Sequence, residues 1–269
     1  MEFKSIRFHL TPFVRIILPL AALLVLFSWL YFTPSGLLGK ADAVGFAVCH
    51  RIPERSFHVG GRPMPLCARC SGMHLGAFLG LVYLSRFGRR GGLPSRKVWG
   101  ILGVFALAFI IDGTNSYFHL FPGFSGIYDP RNWLRLITGT GLGLGIAAVL
   151  YPVVNQTLWF DWEDTPALGS WRQLGTLLIL SALIVLAMLS NMPLLLYPLA
   201  LVSAANVLLV LGLVYTVVWV LILKKENCFN TFKDIRWVAI AGFTTALAQI
   251  ALMDYGRLWL TGSWAGFFS

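Results

Sequence analysis

Three of the four cysteines lie in one short segment, together with a histidine and several arginines. Cys67 and Cys70 form a C-x-x-C pair, and Cys49 is followed directly by His50. A C-x-x-C turn brings two sulfur atoms to one point, and a further cysteine and histidine complete a tetrahedral set that zinc favours. The spacing therefore predicts a zinc site formed by these four residues. Four protein ligands favour a structural role, whereas loss of His50 from the set leaves a position open for catalysis.

Other assignments of the cysteines stay open at this stage. His74 stands one helical turn after Cys70 and is a rival nitrogen ligand. A membrane thiol-disulfide oxidoreductase would use Cys67 and Cys70, because a C-x-x-C pair at the start of a helix has a lowered thiol pKa. Three cysteines leave one unpaired in that scheme. In the third assignment, the cysteines are small apolar residues that fill a core.

Charged residues form a second predicted group. Asp112 lies within an apolar run, where an ionisable side chain is costly unless it is paired or faces a cavity. Arg131 and Arg135 are spaced to face the same way at the start of the following helix, so they could form a structural ion pair with Asp112. With Arg55 and Arg69 nearby, the positive charge exceeds what one carboxylate neutralises. This excess predicts a basic pocket for a small anion or an anionic lipid headgroup.

The composition sets the kind of fold that must position these residues. Of the 269 residues, 57% are hydrophobic and only 12% are charged, which is more apolar surface than one soluble core buries. We therefore predict an all-α fold, a polytopic transmembrane helical bundle of about seven helices in the lipid bilayer. The net charge of +10 suits an anionic membrane surface. Nucleic acid is not an expected partner, because the basic residues lie in short loops, and the sequence identifies no protein partner.

Seven apolar runs predict the membrane-spanning helices. They are approximately Phe13–Phe32, Cys70–Phe87, Val98–Tyr117, Asn132–Val154, Leu174–Ser190, Pro198–Leu223 and Trp237–Met253. The candidate site residues then emerge on one face of the membrane, joined by Asp254 and Arg257 at the end of the last helix. Because the inner segments carry more Lys and Arg, we expect a plasma-membrane protein with a cytoplasmic amino terminus and an external carboxyl terminus. The cysteine cluster then faces outward.

Glycines spaced four apart predict where two of these helices pack closely. They are Gly72, Gly76 and Gly80 in the second span, and Gly139, Gly141, Gly143 and Gly145 in the fourth. The predicted organisation is a four-helix membrane core with the Cys/His loop and the Arg/Asp cluster in residues 1–154. Residues 155–269 add three transmembrane helices to the same membrane domain.

Two blocks of sequence resemble those of a family of predicted prokaryotic membrane proteins, domain of unknown function 2085. The first block comprises Cys49-His50-Arg51-Ile52-Pro53-Glu54-Arg55-Ser56 and Leu66-Cys67-Ala68-Arg69-Cys70-Ser71-Gly72, and the second comprises Asp112-Gly113, Asn132-Trp133-Leu134-Arg135 and Thr138-Gly139. The resemblance implies that the three cysteines and His50 form one unit with Asp112 and Arg135 alongside. An aromatic residue is typical of the family at His74, which makes His74 the less favoured ligand. The resemblance implies no activity.

The sequence thus favours an integral membrane protein with an outward-facing metal site, zinc, beside a basic pocket. It leaves open whether the site is catalytic. A thiol-disulfide oxidoreductase, a transporter, and a structural or assembly subunit of a membrane complex are the alternative functions.

Overall fold

The computed structural model describes residues 12–121, 123 and 126–264. Over these residues the chain forms eight α-helices and four short β-strands. The helices are α1 (Pro12–Phe32), α2 (Gly36–Val48), α3 (Ala68–Ser85), α4 (Arg96–Phe118), α5 (Asn132–Leu158), α6 (Trp171–Leu189), α7 (Pro193–Ile222) and α8 (Phe232–Thr261). The strands are β1 (His58–Val59), β2 (Arg62–Pro63), β3 (Arg90–Gly92) and β4 (Glu163–Pro166).

Six helices of the described chain, α1 and α4 to α8, are long and apolar enough to cross a membrane. They confirm the predicted all-α transmembrane bundle. The remaining predicted span corresponds to α3, which has 18 residues and is therefore about 27 Å long. Its first turn contacts the end of α4, through Arg69 and Asp112, and its last turn packs against Val98 at the start of α4. Thus α3 runs through the bundle from one end to the other.

Helix α3 lies against α5 at a distance that only glycine allows. A Cβ atom at Gly76 would stand 2.4 Å from the carbonyl oxygen of Thr140, and one at Gly143 would stand 2.1 Å from that of Met73. No real side chain tolerates such distances, so the backbones of the two helices are in direct contact. The predicted close-packing face is therefore formed by Gly72, Gly76 and Gly80 of α3 with Gly139 and Gly143 of α5. The prediction is wrong for the other two glycines, because Gly141 packs on Phe105 of α4 and a Cβ atom at Gly145 would meet nothing within 4 Å.

Helix α2 is a short element that the hydropathy pattern does not predict. It buries Ala43, Val44 and Phe46 and packs against α7 and α8. It ends at Cys49, whose backbone N–H donates to the carbonyl oxygen of Gly45 at 2.8 Å. A Cβ atom at Gly45 would stand 1.9 Å from the carbonyl oxygen of Pro65. This close approach brings the end of α2 against the chain that leads into Cys67.

The opposite end of the bundle is closed by a separate set of contacts. Strand β3 pairs in parallel with β4, and the Arg89 guanidinium forms an ion pair with Asp161 and also stacks on Trp159. Between the two ends, α1 packs mainly on α8 and leaves most of its apolar side chains exposed. The candidate site residues lie at the end where α3 and α5 begin and α4 and α8 end.

Candidate functional site

The three predicted cysteine ligands come together in the structure. The Sγ atoms of Cys49, Cys67 and Cys70 all lie within 4.8 Å of one another. Cys49 follows the last residue of α2, Cys67 is the residue that caps α3, and Cys70 lies in the first turn of α3. Cys49 and Cys67 are only 5% and 2% exposed. The cluster is therefore a buried junction between α2 and α3 rather than part of a solvated loop.

The three thiols of the cluster differ in pKa, and that of Cys49 is lowered. The backbone N–H of Cys67 donates to Cys49 Sγ at 3.3 Å. Hydrogen bonds from the thiols of Cys67 and Cys70 lower the pKa of Cys49 well below its usual value. The same hydrogen bond with Cys49 raises the pKa of Cys67 to about 12. Among the three thiols, Cys49 is thus the one whose deprotonation its neighbours favour, since thiol and backbone donors surround its sulfur atom.

Arginines from distant parts of the chain fix the backbone around Cys49. Arg257 of α8 donates to the carbonyl oxygens of Phe46 and Cys49, the latter at 2.6 Å. Arg51 adopts a left-handed backbone conformation with φ of 55°, which is uncommon for a residue with a side chain. Its guanidinium forms an ion pair with Asp42 at 3.0 Å and donates to the carbonyl oxygen of Trp264 at 3.0 Å. These contacts hold the turn in which Cys49 and His50 change direction.

The structure does not place His50 in the cysteine group. The backbone N–H of Ile52 donates to His50 Nδ1 at 3.0 Å, which leaves only Nε2 available to a ligand. Burial is the main cause that lowers the pKa of His50, and the charges of Arg55, Arg69 and Arg135 lower it further. Burial and the arginines therefore favour the uncharged form of His50, which lies near both Cys49 and the arginines. Of the predicted Cys3His set, the structure brings together the three cysteines but not His50.

The rival ligand His74 also lies outside the group of three sulfur atoms. Its Nδ1 is buried and has no hydrogen-bond partner among the described residues. Asn206 of α7 donates to the backbone carbonyl of His74 at 2.8 Å, so the neighbouring backbone is satisfied while the ring is not. His74 interacts electrostatically with Cys49. A buried ring nitrogen without a partner in the described chain therefore lies near the sulfur cluster and could act as a ligand.

Asp112 is almost fully buried, but its ionic partner is not the one that the sequence suggests. Arg69 of α3 donates from Nε to Asp112 Oδ2 at 3.1 Å and from Nη2 to the same oxygen. Tyr128 donates to Oδ1 at 2.9 Å. Burial and this hydrogen bond raise the pKa of Tyr128 to about 12. The predicted ion pair of Asp112 with Arg131 or Arg135 is wrong, because the close packing of α3 on α5 brings Arg69 nearer.

Arg135 is buried and stays next to this ion pair without joining it. It donates from Nη1 to Asn132 Oδ1 at 2.8 Å and from Nε to Ser116 Oγ at 3.4 Å. Ser116 also accepts from Arg69 at 2.9 Å. Ser116 lies one turn beyond Asp112 in α4, a spacing that could have identified it from the sequence. Nothing in the sequence marks Tyr128.

Arg55 adds a positive charge that forms no ion pair with a described residue. It ends a single 3-10 turn, Pro53–Arg55, which Asn132 ties to α5 by donating to the carbonyl oxygen of Glu54 at 3.0 Å. The Arg55 guanidinium is half-buried, and it makes no hydrogen bond or ion pair with any part of the chain that the structure describes. Burial and the charge of Arg69 lower the pKa of Arg55, while Cys67 and the neighbouring Glu54 oppose this effect. Arg55 therefore lies between the cysteines and the other arginines.

Arg69 and Arg135 lie beside one buried counter-charge, Asp112, and Arg55 interacts electrostatically with Arg69 and Arg135. We call this group, with His50, the basic pocket. The fourth predicted arginine, Arg131, precedes α5 and is exposed, and it forms no ion pair with a described residue. The basic pocket thus contains three guanidinium groups and one buried carboxylate. Its net positive charge lies beside the sulfur cluster.

Comparisons with known proteins identify the family. Residues 49–149 match the family described as "Predicted membrane protein (DUF2085)". An uncharacterised protein of Methanothermobacter thermautotrophicus is 32% identical over 102 residues, which cover 38% of this chain and 83% of that protein. The chain belongs to this family. An uncharacterised protein of Methanocaldococcus jannaschii is 26% identical over 117 residues, 44% of this chain and 70% of that protein. No solved structure matches the chain.

The family assignment confirms the predicted resemblance. It also shows which residues of the candidate site lie inside the shared segment and which supporting residues lie outside it. The matching segment contains the three cysteines and all the members of the basic pocket. Helices α6, α7 and α8 lie outside it. They nevertheless supply contacts to the site, because Arg257 holds the backbone of Cys49 and Asn206 holds that of His74. The chain is therefore an integral membrane protein of this family whose site also depends on helices beyond the shared segment.

Proposed function

We propose that Cys49, Cys67 and Cys70 bind a zinc ion. The observation that carries the proposal is the approach of three buried sulfur atoms to within 4.8 Å of one another. In a tetrahedral zinc site with Zn–S bonds of about 2.3 Å, the sulfur atoms stand about 3.8 Å apart. A small closure of the cluster meets that geometry. Thiolates favour soft or borderline metals, and zinc is the common tetrahedral choice among them.

A redox function is less well supported by the environment of the C-x-x-C pair. In thiol-disulfide exchange, the attacking thiol is accessible and has a lowered pKa. Cys67, the first cysteine of the pair, is 2% exposed and its pKa is raised to about 12. The depressed pKa belongs instead to Cys49, outside the pair. A metal uses all three sulfur atoms, whereas a disulfide leaves one of them without a role.

The fourth coordination position is open in this proposal. Neither His50 nor His74 lies in the group of three sulfur atoms, and His50 Nδ1 is already engaged by Ile52. Three protein ligands with an open position are typical of catalytic rather than structural zinc sites. A zinc ion in such a site acts as a Lewis acid toward an oxygen ligand. His74, whose Nδ1 has no partner among the described residues and which interacts electrostatically with Cys49, is the candidate fourth ligand in this proposal.

The basic pocket is proposed to bind the anionic group of a ligand beside the metal. Arg55 carries this part of the proposal, because its half-buried guanidinium has no partner in the described structure. A guanidinium matches the planar geometry of a carboxylate or phosphate and binds such groups through paired hydrogen bonds. Arg69 and Asp112 form the fixed wall of the pocket. We propose that the pocket faces the outside of the cell, since Lys and Arg are more abundant in the opposite loops.

Metal analysis of protein purified without chelator tests the zinc proposal. We expect about one zinc ion per wild-type chain and its loss in Cys67→Ser. The matched control is Cys228→Ser, which changes a cysteine outside the cluster at the other end of the bundle and should leave the zinc content unchanged. Wild-type protein without stoichiometric metal, and with a Cys67–Cys70 disulfide in its mass spectrum, would refute the proposal and support the oxidoreductase.

A further inference from the structure

An apolar groove begins near the basic pocket and descends into the membrane-embedded part of the bundle. It lies between α4, α5 and α6 and has a volume of about 390 Å³. Its walls include Phe105, Ile137, Leu144, Ala182 and Leu189. Between Ile137 and Leu144 the α5 wall extends for about 10 Å along the helix axis. The groove is thus largely apolar, and two residues of its walls, Ile137 and Ala182, are exposed at the surface of the bundle.

One end of the groove lies close to the basic pocket, because α4 and α5 contribute residues to both. On α5, Ile137 lies two residues beyond Arg135. On α4, Phe109 lies one turn from Phe105, and the Arg69 guanidinium stacks over the Phe109 ring at 5.7 Å from its centroid. Leu189, the last residue of α6, also lies at this end. The groove therefore starts at the depth of the guanidinium groups.

We propose that the ligand of the basic pocket is an anionic membrane lipid with a phosphate headgroup, and that one of its hydrocarbon chains lies in this groove. The proposal rests on the basic pocket proposed above. Charge complementarity places the phosphate at Arg55 and Arg135, and the apolar walls accept the chain below it. An amphiphile of this shape fits a site that is cationic at the membrane surface and apolar beneath it.

A second groove in the same bundle provides an internal control. It lies between α4, α5 and α7, has a volume of about 480 Å³, and is lined by Trp99 and Val153 toward the opposite end of the bundle. Gly145 lies in its wall, and a Cβ atom there would meet nothing within 4 Å. Gly145→Leu therefore adds side-chain volume to this second groove at a position where the new Cβ atom meets no neighbour. A ligand bound at the basic pocket should not respond to that change.

Equilibrium binding to the purified full chain in neutral detergent tests the proposal with three probes. The probes are long-chain phosphatidic acid, long-chain phosphatidylcholine and inorganic phosphate. We expect phosphatidic acid to bind at least about tenfold more tightly than either of the others, because it alone combines the anionic headgroup with the chain. Equal binding of phosphatidic acid and inorganic phosphate would overturn the role of the groove. Equal binding of phosphatidic acid and phosphatidylcholine would overturn the role of the headgroup charge.

Two variants separate the groove from the pocket. Ala182→Phe adds volume to the groove at an exposed position, so we expect about tenfold weaker binding of phosphatidic acid and unchanged binding of phosphate. Arg55→Gln should weaken the binding of both by about tenfold. Gly145→Leu should weaken neither. If Ala182→Phe leaves the binding of phosphatidic acid unchanged, the lipid chain does not lie in the groove, although the anion pocket can still hold. If Arg55→Gln leaves the binding of both probes unchanged, the anion pocket itself is rejected.

Discussion

Arg257 Nη1 donates a hydrogen bond to the carbonyl oxygen of Cys49 at 2.6 Å, so the last helix of the chain holds the first cysteine of the cluster. The two residues are far apart in sequence, and only Cys49 lies within the family segment. The guanidinium also donates to Phe46 and packs over its ring at 4.4 Å from the centroid. The position of one sulfur atom in the proposed metal site therefore depends on the docking of α8.

The contact between Arg257 and Cys49 leads to a first prediction. Arg257→Gln removes the hydrogen bonds to Phe46 and Cys49 without removing a sulfur ligand, and we expect zinc affinity to fall by about tenfold. Competition with a chromophoric chelator measures the change. Arg172→Gln, an exposed arginine at the other end of the bundle, is the matched control and should keep wild-type affinity. Equal affinities in the two variants would show that Arg257 does not position the cluster.

Parts of the site could be predicted because they depend on local spacing. The C-x-x-C spacing of Cys67 and Cys70 determines that both sulfur atoms lie near the start of α3. The prediction for Cys49 required two segments to be joined across a loop, and the reason to join them was that Cys49 and His50 complete a tetrahedral Cys3His set. The place of His50 could not be foreseen. It depends on the backbone N–H of Ile52, which takes the Nδ1 atom that a metal would otherwise use.

The partner of Asp112 shows why long-range contacts were harder to predict. Sequence proximity favoured Arg135, which opens the next helix. The actual partner, Arg69, approaches because α3 and α5 are in direct backbone contact, with a Cβ atom at Gly139 only 2.2 Å from the carbonyl oxygen of Arg69. The glycine spacing indicated close packing of these helices. It did not indicate which side chains that packing would bring to Asp112.

The ion pair between Arg69 and Asp112 supports a second prediction. Asp112→Asn leaves a largely buried guanidinium without its counter-charge, and we expect the free energy of unfolding to fall by about 3 kcal/mol. Denaturant titration in mixed micelles measures it. The comparable change at the exposed Arg89–Asp161 pair, Asp161→Asn, should cost less than about 1 kcal/mol. Similar losses in both variants would argue against a structural role for the buried pair.

The contact between α3 and α5 gives a third prediction. Gly76→Ala would place a Cβ atom 2.4 Å from the carbonyl oxygen of Thr140, so the helices must separate. We expect a loss of about 2 kcal/mol in the free energy of unfolding. Gly145→Ala is the control, because a Cβ atom there meets nothing within 4 Å. If thermal unfolding midpoints of the two variants coincide, the backbones are not in the contact described.

Removal of the metal provides a fourth prediction. A ligand that binds only the folded chain stabilises it by about 2.7 kcal/mol at a free concentration 100 times its dissociation constant. Chelator should therefore lower the unfolding temperature of the wild type and leave that of Cys67→Ser unchanged. It should also increase maleimide labelling of the three clustered cysteines, while Cys228 labels equally with and without chelator. Unchanged labelling of the cluster would indicate that burial alone protects these thiols.

X-ray absorption at the zinc edge tests the central claim most directly, because it counts the sulfur atoms bound to the metal. For the purified wild type we predict three sulfur atoms at about 2.3 Å and one lighter atom in the first shell. Cys49→Ser should lose stoichiometric zinc, and any ion that it binds at excess zinc should show two sulfur atoms. A first shell of nitrogen and oxygen alone, or a wild-type sample that binds no zinc, would contradict the assignment of Cys49, Cys67 and Cys70 as its ligands.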